Sequence, residues 1–412
     1  MEISASRIAV IGGGAAGMMA AARLISYGFD VTLYEKNERL GRKLAITGKG
    51  RCNVTNNCTR DEFFKNVPTN PRFLYSCYNA FGSQDVMDYF EDLGVPLKTE
   101  RGNRVFPASD RAFDIVDALA SQVKGHVKTA RVSGVEVENG RVTGVRIGKN
   151  VVPYDNVIVC TGGLSYKQTG SDGDGLKFAR QLGIETVPAR PSLVPIESPD
   201  PICREMQGLS LKNVAIRIED QNGKTAYTDF GEMMFTHFGV TGPMILSASS
   251  MIPDIGEKSY TLYIDMKPAL DEKELDNRIL SDFSKNINRD FGNSLSALLP
   301  SKMIPVIIKK SGISPDTKVN SITKEQRKKL VSCLKALPIS LSGFRDINEA
   351  IITKGGVSVK ELDPKTMECK RIAGLYFAGE VIDVDAYTGG FNLQIAFSTA
   401  VCAADAIAGL KW

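Results

Sequence analysis

The segment that most restricts the fold lies within the first thirty-five residues. Arg7-Ile-Ala-Val-Ile11 is a short apolar run, the pattern of a strand buried on both faces. It leads straight into Gly12-Gly-Gly14-Ala15-Ala16-Gly17, a G-x-G-x-x-G, and a helical pattern follows to about Ser26, with Gly28 placed to close it. A second apolar strand, Val31–Glu35, ends in a carboxylate 18 residues after Gly17. Each part has a mechanical reason. Gly12 makes the tight turn, Gly14 lets backbone approach a pyrophosphate, and Gly17 lets helix and strand pack closely. The free N–H groups at Ala15 and Ala16 and the positive end of the helix face the phosphates. Glu35 accepts from ribose hydroxyls, and Lys36 follows it at the same strand end. This order predicts a dinucleotide-binding βαβ unit, and by itself it does not separate NAD from FAD.

Two further regions favour FAD. The chain holds 38 glycines against 18 prolines, and a second glycine-rich stretch runs from Gly41 to Asn56. Arg42, Lys43, Lys49 and Arg51 supply positive charge there, Gly48 a turn, and Asn53 a neutral donor and acceptor for phosphate or a flavin carbonyl. Val127–Val132 then reads as a strand, Val135–Ile147 as a hairpin about Asn139-Gly140, and Asn156–Cys160 as a buried strand entering Thr161-Gly162. At the far end of the chain, the apolar run from Ile372 stops at Gly379-Glu380. Thr388–Gln394, containing Asn392 and Leu393, opens a helix over Ile395–Ile407. Such a helix aims its dipole at the flavin edge where negative charge develops on reduction.

The order of the meander and the apolar strand resembles the FAD-binding domains of the glutathione-reductase-like superfamily. More specifically, LGRKLAITGKGRCNVTN (40–56), TGGLSYKQTGSDGDG (161–175), MFTHFGVTG (234–242) and GLYFAGEVIDVDAYTGGFNLQIA (374–396) resemble the bacterial HI0933-like flavoproteins. Lys167 departs from that pattern, which has proline after Tyr166. The resemblance implies an α/β chain: a Rossmann FAD domain with an inserted β-barrel-like and helical unit. It assigns Glu380 to a flavin ribityl hydroxyl, where Asp is usual. It also implies FAD-dependent reduction of C=C bonds conjugated to a 3-oxo group in a steroid or bile acid, a step of lipid metabolism. No second G-x-G-x-x-G follows a strand, so NAD(P)H is expected only as a transient electron donor.

At about 150 residues per domain, 412 residues make two or three domains. The prolines at 188, 191, 195, 199 and 201 mark a boundary. The expected organisation is a discontinuous FAD domain, 1–190 plus 345–412. A β-rich insert occupies 191–268 plus 337–344, and a helical subdomain 269–336.

Enone reduction needs a proton donor at the α carbon and polarisation of the carbonyl. Tyr387 and His237 are the catalytic candidates, each with packing as its competing explanation, and Tyr166 is a weaker third. A metal site is not expected, since the chain has two histidines and no CxxC among eight cysteines. The first apolar stretch closes at Arg23, too short to span a bilayer. A cytoplasmic location with reduced thiols is expected. A net charge of +4, with basic runs no longer than Lys309-Lys310 and Lys328-Lys329, argues against nucleic acid, while the resemblance implies a bulky, apolar small-molecule substrate. The oligomeric state is left open. Two competing functions remain: a dehydrogenase or oxidase of a small amine or hydroxy acid, and a non-catalytic flavin redox protein.

Overall fold

A computed structural model describes residues 6–252 and 255–410. The chain divides into two compact units, Met1–Ser192 with Ile347–Trp412, and Leu193–Asp346.

The first unit is built on a five-stranded parallel sheet. Its strands are β1 (Arg7–Ile11), β2 (Asp30–Glu35), β3 (Val127–Thr129), β4 (Asn156–Val159) and β5 (Leu375–Phe377), in the order β5-β4-β1-β2-β3. The apolar runs need this arrangement, because Ile8, Val10, Leu33, Val157 and Phe377 are buried by cover on both faces. The helix Ala15–Ser26 follows β1 and packs on the C-terminal helix Phe391–Ile407. Small side chains such as Ala20, Ala21, Ala400 and Ala403 are buried in these two helices and favour close approach. The C-terminal helix begins at Phe391, four residues before the position the sequence pattern suggests.

The run Val127–Val132 is not one strand. Val127–Thr129 pairs with β2, whereas Val132–Glu138 starts a three-stranded antiparallel sheet with Arg141–Ile147 and Asn150–Pro153. The Ala130 N–H still donates to the Glu35 carbonyl at 2.9 Å, and the chain leaves the parallel sheet after it. The hairpin turn does fall at Asn139-Gly140, with φ of 51° and 73°. Positive φ at both positions is the turn type that matches strand twist. A two-stranded sheet, Thr186–Ser192 with Ile352–Val357, joins the two sequence segments of this unit.

The second unit holds a seven-stranded sheet in which every neighbouring pair is antiparallel. Its longest strands are Ser210–Asp220 and Thr225–Thr236. Leu337–Leu341 lies at one edge, and Gly343–Phe344 lies at the other. Only Ser342 separates them, so the sheet curls back on itself, as a barrel-like insert requires. The helices Glu272–Ser284 and Lys324–Lys335 each open on a capping box, Asp271 with Glu274 and Thr323 with Gln326. Strands and helices share one apolar core that includes Ile216, Leu262, Leu275, Phe291 and Leu330.

Candidate cofactor site

The carboxyl ends of the parallel strands surround a cavity with about 1330 Å³ of atom-free space, part of it open to solvent. This is where ligands bind in open α/β sheets. Gly12, Gly14, Ala15 and Ala16 form its floor after β1, and Glu35 and Lys36 lie at the end of β2. Arg42, Lys43 and Val132 line it, as do Thr161 and Gly162 after β4. Gly379 and Glu380 after β5, with Asn392 and Leu393 from the C-terminal helix, complete the wall.

The glycines do different work. Gly12 has φ 106°, and a Cβ there would sit 2.5 Å from the Cys160 carbonyl oxygen. A Cβ on Gly17 would lie 1.8 Å from the Gly12 carbonyl oxygen, so Gly17 packs the helix against the turn and does not line the cavity. A Cβ on Gly14 would meet no atom within 4 Å and would occupy open space. This is a cradle whose room depends on the missing side chain.

Glu35 is buried, and both of its side-chain oxygens accept hydrogen bonds. Oε2 accepts from the Gly13 N–H at 2.7 Å, and Oε1 accepts from the Asn37 N–H at 2.8 Å and from Asn37 Nδ2 at 2.6 Å. These bonds hold the carboxylate at the cavity edge and leave acceptor capacity for hydroxyls. Lys36 reaches the cavity, but its ammonium is spent on Asp172 at 2.6 Å and Asp174 at 3.0 Å. Arg131 joins them, 2.7 Å from Asp174. Burial works to raise the Asp174 carboxyl, but the hydrogen bonds from Arg131 and Lys36 prevail and hold it at about 2.

On the other wall, Lys43 Nζ lies 2.6 Å from Glu380 Oε2 and 2.6 Å from Ser165 Oγ. Glu380 Oε1 accepts from Ser165 Oγ at 3.0 Å and from the Thr353 N–H at 2.8 Å. Thr353 Oγ1 in turn accepts from the Leu164 and Ser165 N–H groups, at 2.7 and 3.0 Å. Asn392 spends its side chain on the preceding loop, with Oδ1 accepting from the Ala386 N–H at 2.9 Å and Nδ2 donating to the Ala386 carbonyl at 2.7 Å. The cap residue Gly390 offers no side chain to the first N–H groups.

The donor set fits FAD. Free helix N-termini and a side-chain-free turn suit a pyrophosphate, a buried carboxylate suits a ribose, and a helix start suits an isoalloxazine. The chain matches the family model described as "HI0933-like protein Rossmann domain" across residues 6–406. It belongs to the HI0933-like family. The family's Rossmann domain binds FAD, and this chain is accordingly a member of an FAD-dependent oxidoreductase family. Among curated relatives, the ribosomal RNA dihydrouridine synthase of Escherichia coli is 32% identical over 404 residues, covering 97% of each chain. The 3-dehydro-bile acid Δ(4,6)-reductase of Clostridium scindens is 28% identical over 412 residues, covering 98% of this chain and 99% of its own. Among solved structures, the 3-ketosteroid Δ1-dehydrogenase of Sterolibacterium denitrificans superposes with a TM-score of 0.53 at 13% identity, covering 98% of this chain and 100% of its own. That likeness is one of fold.

Several residues expected at the cofactor of this HI0933-like chain lie off the cavity wall. Gly48, with φ 58°, shapes the turn that carries Asn53, and neither lines the cavity. Asn53 Oδ1 is buried with no hydrogen-bond partner among the described residues. Tyr387 is half-buried, with its N–H donating to the Asn66 carbonyl at 2.9 Å. His237 is exposed in the second unit, its ring edge-on to Phe238. Burial pushes the Cys52 thiol up to about 12, and burial together with Glu62 pushes Cys58 up to about 11, which leaves neither as a ready thiolate. No metal-binding cluster and no helix long and apolar enough to cross a membrane occur among the described residues. Sequence reasoning missed Thr353, Ser165 and Asp174. Asp174 sits in the TGSDGDG run, whose paired acids were the available signal.

Proposed function

We propose that this flavoprotein reduces a C=C bond conjugated to a carbonyl, and that the bond is the 5,6 double bond of a uracil in ribosomal RNA. The observation that carries the proposal is the full-length match to relatives named for reducing such bonds. A dihydrouridine synthase and a Δ(4,6)-reductase of a 3-dehydro-bile acid act on one electronic unit, a C=C in line with a C=O. Uracil is favoured because the dihydrouridine synthases of E. coli and Haemophilus influenzae stand at 32% and 30% identity against 28% for the bile-acid enzyme.

When bound, FAD supplies a hydride to the β carbon of such a bond, replenished by NAD(P)H as a transient donor. The chain's own residues do the rest. Glu35, Gly14 and the Ala15–Ala16 N–H groups bind the nucleotide half. The Glu380–Lys43–Ser165 cluster fixes the opposite wall, and the C-terminal helix start stabilises charge at the flavin edge. Tyr387 is the proposed donor of the proton at the α carbon, and His237 the proposed polariser of the carbonyl. A ribosomal substrate puts the reaction in the cytoplasm. It also replaces the expectation that nucleic acid is not a partner.

The second reading, a steroid-like enone of lipid metabolism, has the bile-acid relative in its favour. One experiment separates the two. Ribosomal RNA from a strain lacking this gene is digested and weighed nucleoside by nucleoside, and the purified flavoprotein is assayed with NADH and NADPH on an enone panel. Loss of a dihydrouridine, restored by the gene, is expected. Intact dihydrouridine together with turnover of 3-oxo steroids would replace the first reading with the second.

A further inference from the structure

The second unit carries a concentration of positive charge that the modest total conceals. Residues 285–336 hold eleven lysines and arginines against three carboxylates, a net +8 within a chain whose total is +4. Four of these cations are neutralised, Lys285 by Asp282, Lys318 by Asp290, Arg327 by Asp276 and Lys335 by Asp265. Lys309, Lys310, Lys324, Lys328 and Lys329 are exposed and make no ion pair among the described residues.

Folding brings the two lysine pairs together. Lys309-Lys310 ends the helix Ile304–Ser311, which packs against the helix Lys324–Lys335. Gly312 closes the first helix in a left-handed conformation, φ 68°, and the Lys329 ammonium lies 3.1 Å from where its Cβ would be. Lys329 thus sits over the negative end of that helix, which favours a cation. Both Lys310 and Lys329 act electrostatically on the thiol of Cys333, one turn further along the second helix. On that helix Lys324 and Lys328 are four residues apart, so they share a face and repel. The helix end under Lys329 and the nearby Glu325 carboxylate offset only part of this charge, since none of the five ammoniums has an ion-pair partner within salt-bridge distance among the described residues. A polyanion that displaces their counterions would gain a great deal.

We propose that the face formed by Lys309, Lys310, Lys324, Lys328 and Lys329 binds the phosphate backbone of folded RNA. This rests on the ribosomal RNA reading above and adds the surface by which such a substrate is held. Point-charge lysines on two short helices suit the phosphates of an A-form duplex, which proteins recognise through backbone and shape more than through sequence.

The test uses the FAD-loaded full chain and protein-free ribosomal RNA, titrated at several salt concentrations. Wild type is compared with Lys309→Gln/Lys310→Gln/Lys328→Gln/Lys329→Gln and with a control bearing Lys124→Gln/Lys149→Gln, two exposed lysines of the first unit. Loss of four phosphate contacts should lower the slope of log K against log salt by about 3 and weaken binding at least about tenfold, with the control unchanged. Flavin content and flavin bleaching by NAD(P)H should match wild type in all three proteins. Equal salt slopes for wild type and the quadruple variant would overturn the proposal. So would wild type binding phosphatidylglycerol vesicles and not RNA. If the gene-deletion strain keeps its dihydrouridine, the functional reading fails, and the titration still judges the surface on its own.

Discussion

Lys43 Nζ and Glu380 Oε2 stand 2.6 Å apart although 337 residues separate them in the chain. The contact ties the second glycine-rich loop to the segment after β5, on the wall of the cofactor cavity. Both side chains are largely withdrawn from water, so removing one partner strands the other's charge. Lys43→Met should therefore raise the dissociation constant for FAD about tenfold, equivalent to roughly 1.4 kcal/mol. Lys43→Met/Glu380→Gln should lose less than the two single changes predict together. Reconstitution of apoprotein with FAD, followed by fluorescence quenching, measures the coupling; strict additivity would show that the pair does not act as a unit.

Two glycines of the same motif should respond in opposite ways. Gly14→Ala places a methyl in open space at a residue with φ of −83°, so unfolding free energy should stay within about 1 kcal/mol of wild type while FAD affinity falls. Gly17→Ala drives a methyl into the Gly12 carbonyl and should cost more than about 3 kcal/mol of stability. Urea titrations of the two apoproteins, paired with flavin content after gel filtration, check both. Stable, fully yellow Gly14→Ala protein would remove Gly14 from the pyrophosphate cradle.

The contrast shows which parts of the molecule are readable from sequence. The βαβ unit is legible because its turn, close approach and helix packing are all local, and each demands a particular residue within a few positions. The Asn139-Gly140 turn is legible for the same reason. Thr353 is not, because its hydroxyl serves Leu164 and Ser165 from a strand that only the fold brings near. Nor is the diversion of Lys36 to Asp172 and Asp174, which looks from the motif alone like a cofactor contact. The basic face is hidden for a related reason. Two dilysine pairs read as short, separate basic runs until the helices carrying them are packed together.

Asp174 should leave a mark on acid stability. Its carboxyl is held at about 2 in the folded chain against an ordinary value near 3.8. A depressed folded value means the unfolded chain binds more protons between those limits, so the stabilisation is complete above roughly pH 4 and is lost as pH falls toward about 2. The share at stake is about 2 kcal/mol. Asp174→Asn should flatten the acid limb of a stability–pH profile measured by urea unfolding. An unchanged limb would mean that other carboxylates dominate it.

Tyr387 and Glu35 are separable by half-reaction. Tyr387→Phe should slow reduction of the C=C substrate at least about tenfold, in keeping with general acid catalysis, and leave bleaching of the flavin by NAD(P)H intact. Glu35→Ala should instead release FAD, since the carboxylate that holds Gly13 at the cavity edge is gone. Stopped-flow traces of each half-reaction decide; equal rates in both halves for Tyr387→Phe would return that residue to a packing role.

The parallel sheet is completed late in the sequence: β5 begins only at Leu375, pairs with β4 on one side, and on the other takes the Cys369 N–H on the Leu375 carbonyl at 2.7 Å and gives the Phe377 N–H to the Met367 carbonyl at 3.2 Å. During synthesis the amino-terminal strands and the whole second unit leave the ribosome first. Until residues 375–380 emerge, β4 lacks its β5 partner and the Lys43 side of the cavity lacks Glu380. A chain stopped before Leu375 keeps the nucleotide motif intact but lacks Gly379, Glu380 and the helix start that line the cavity.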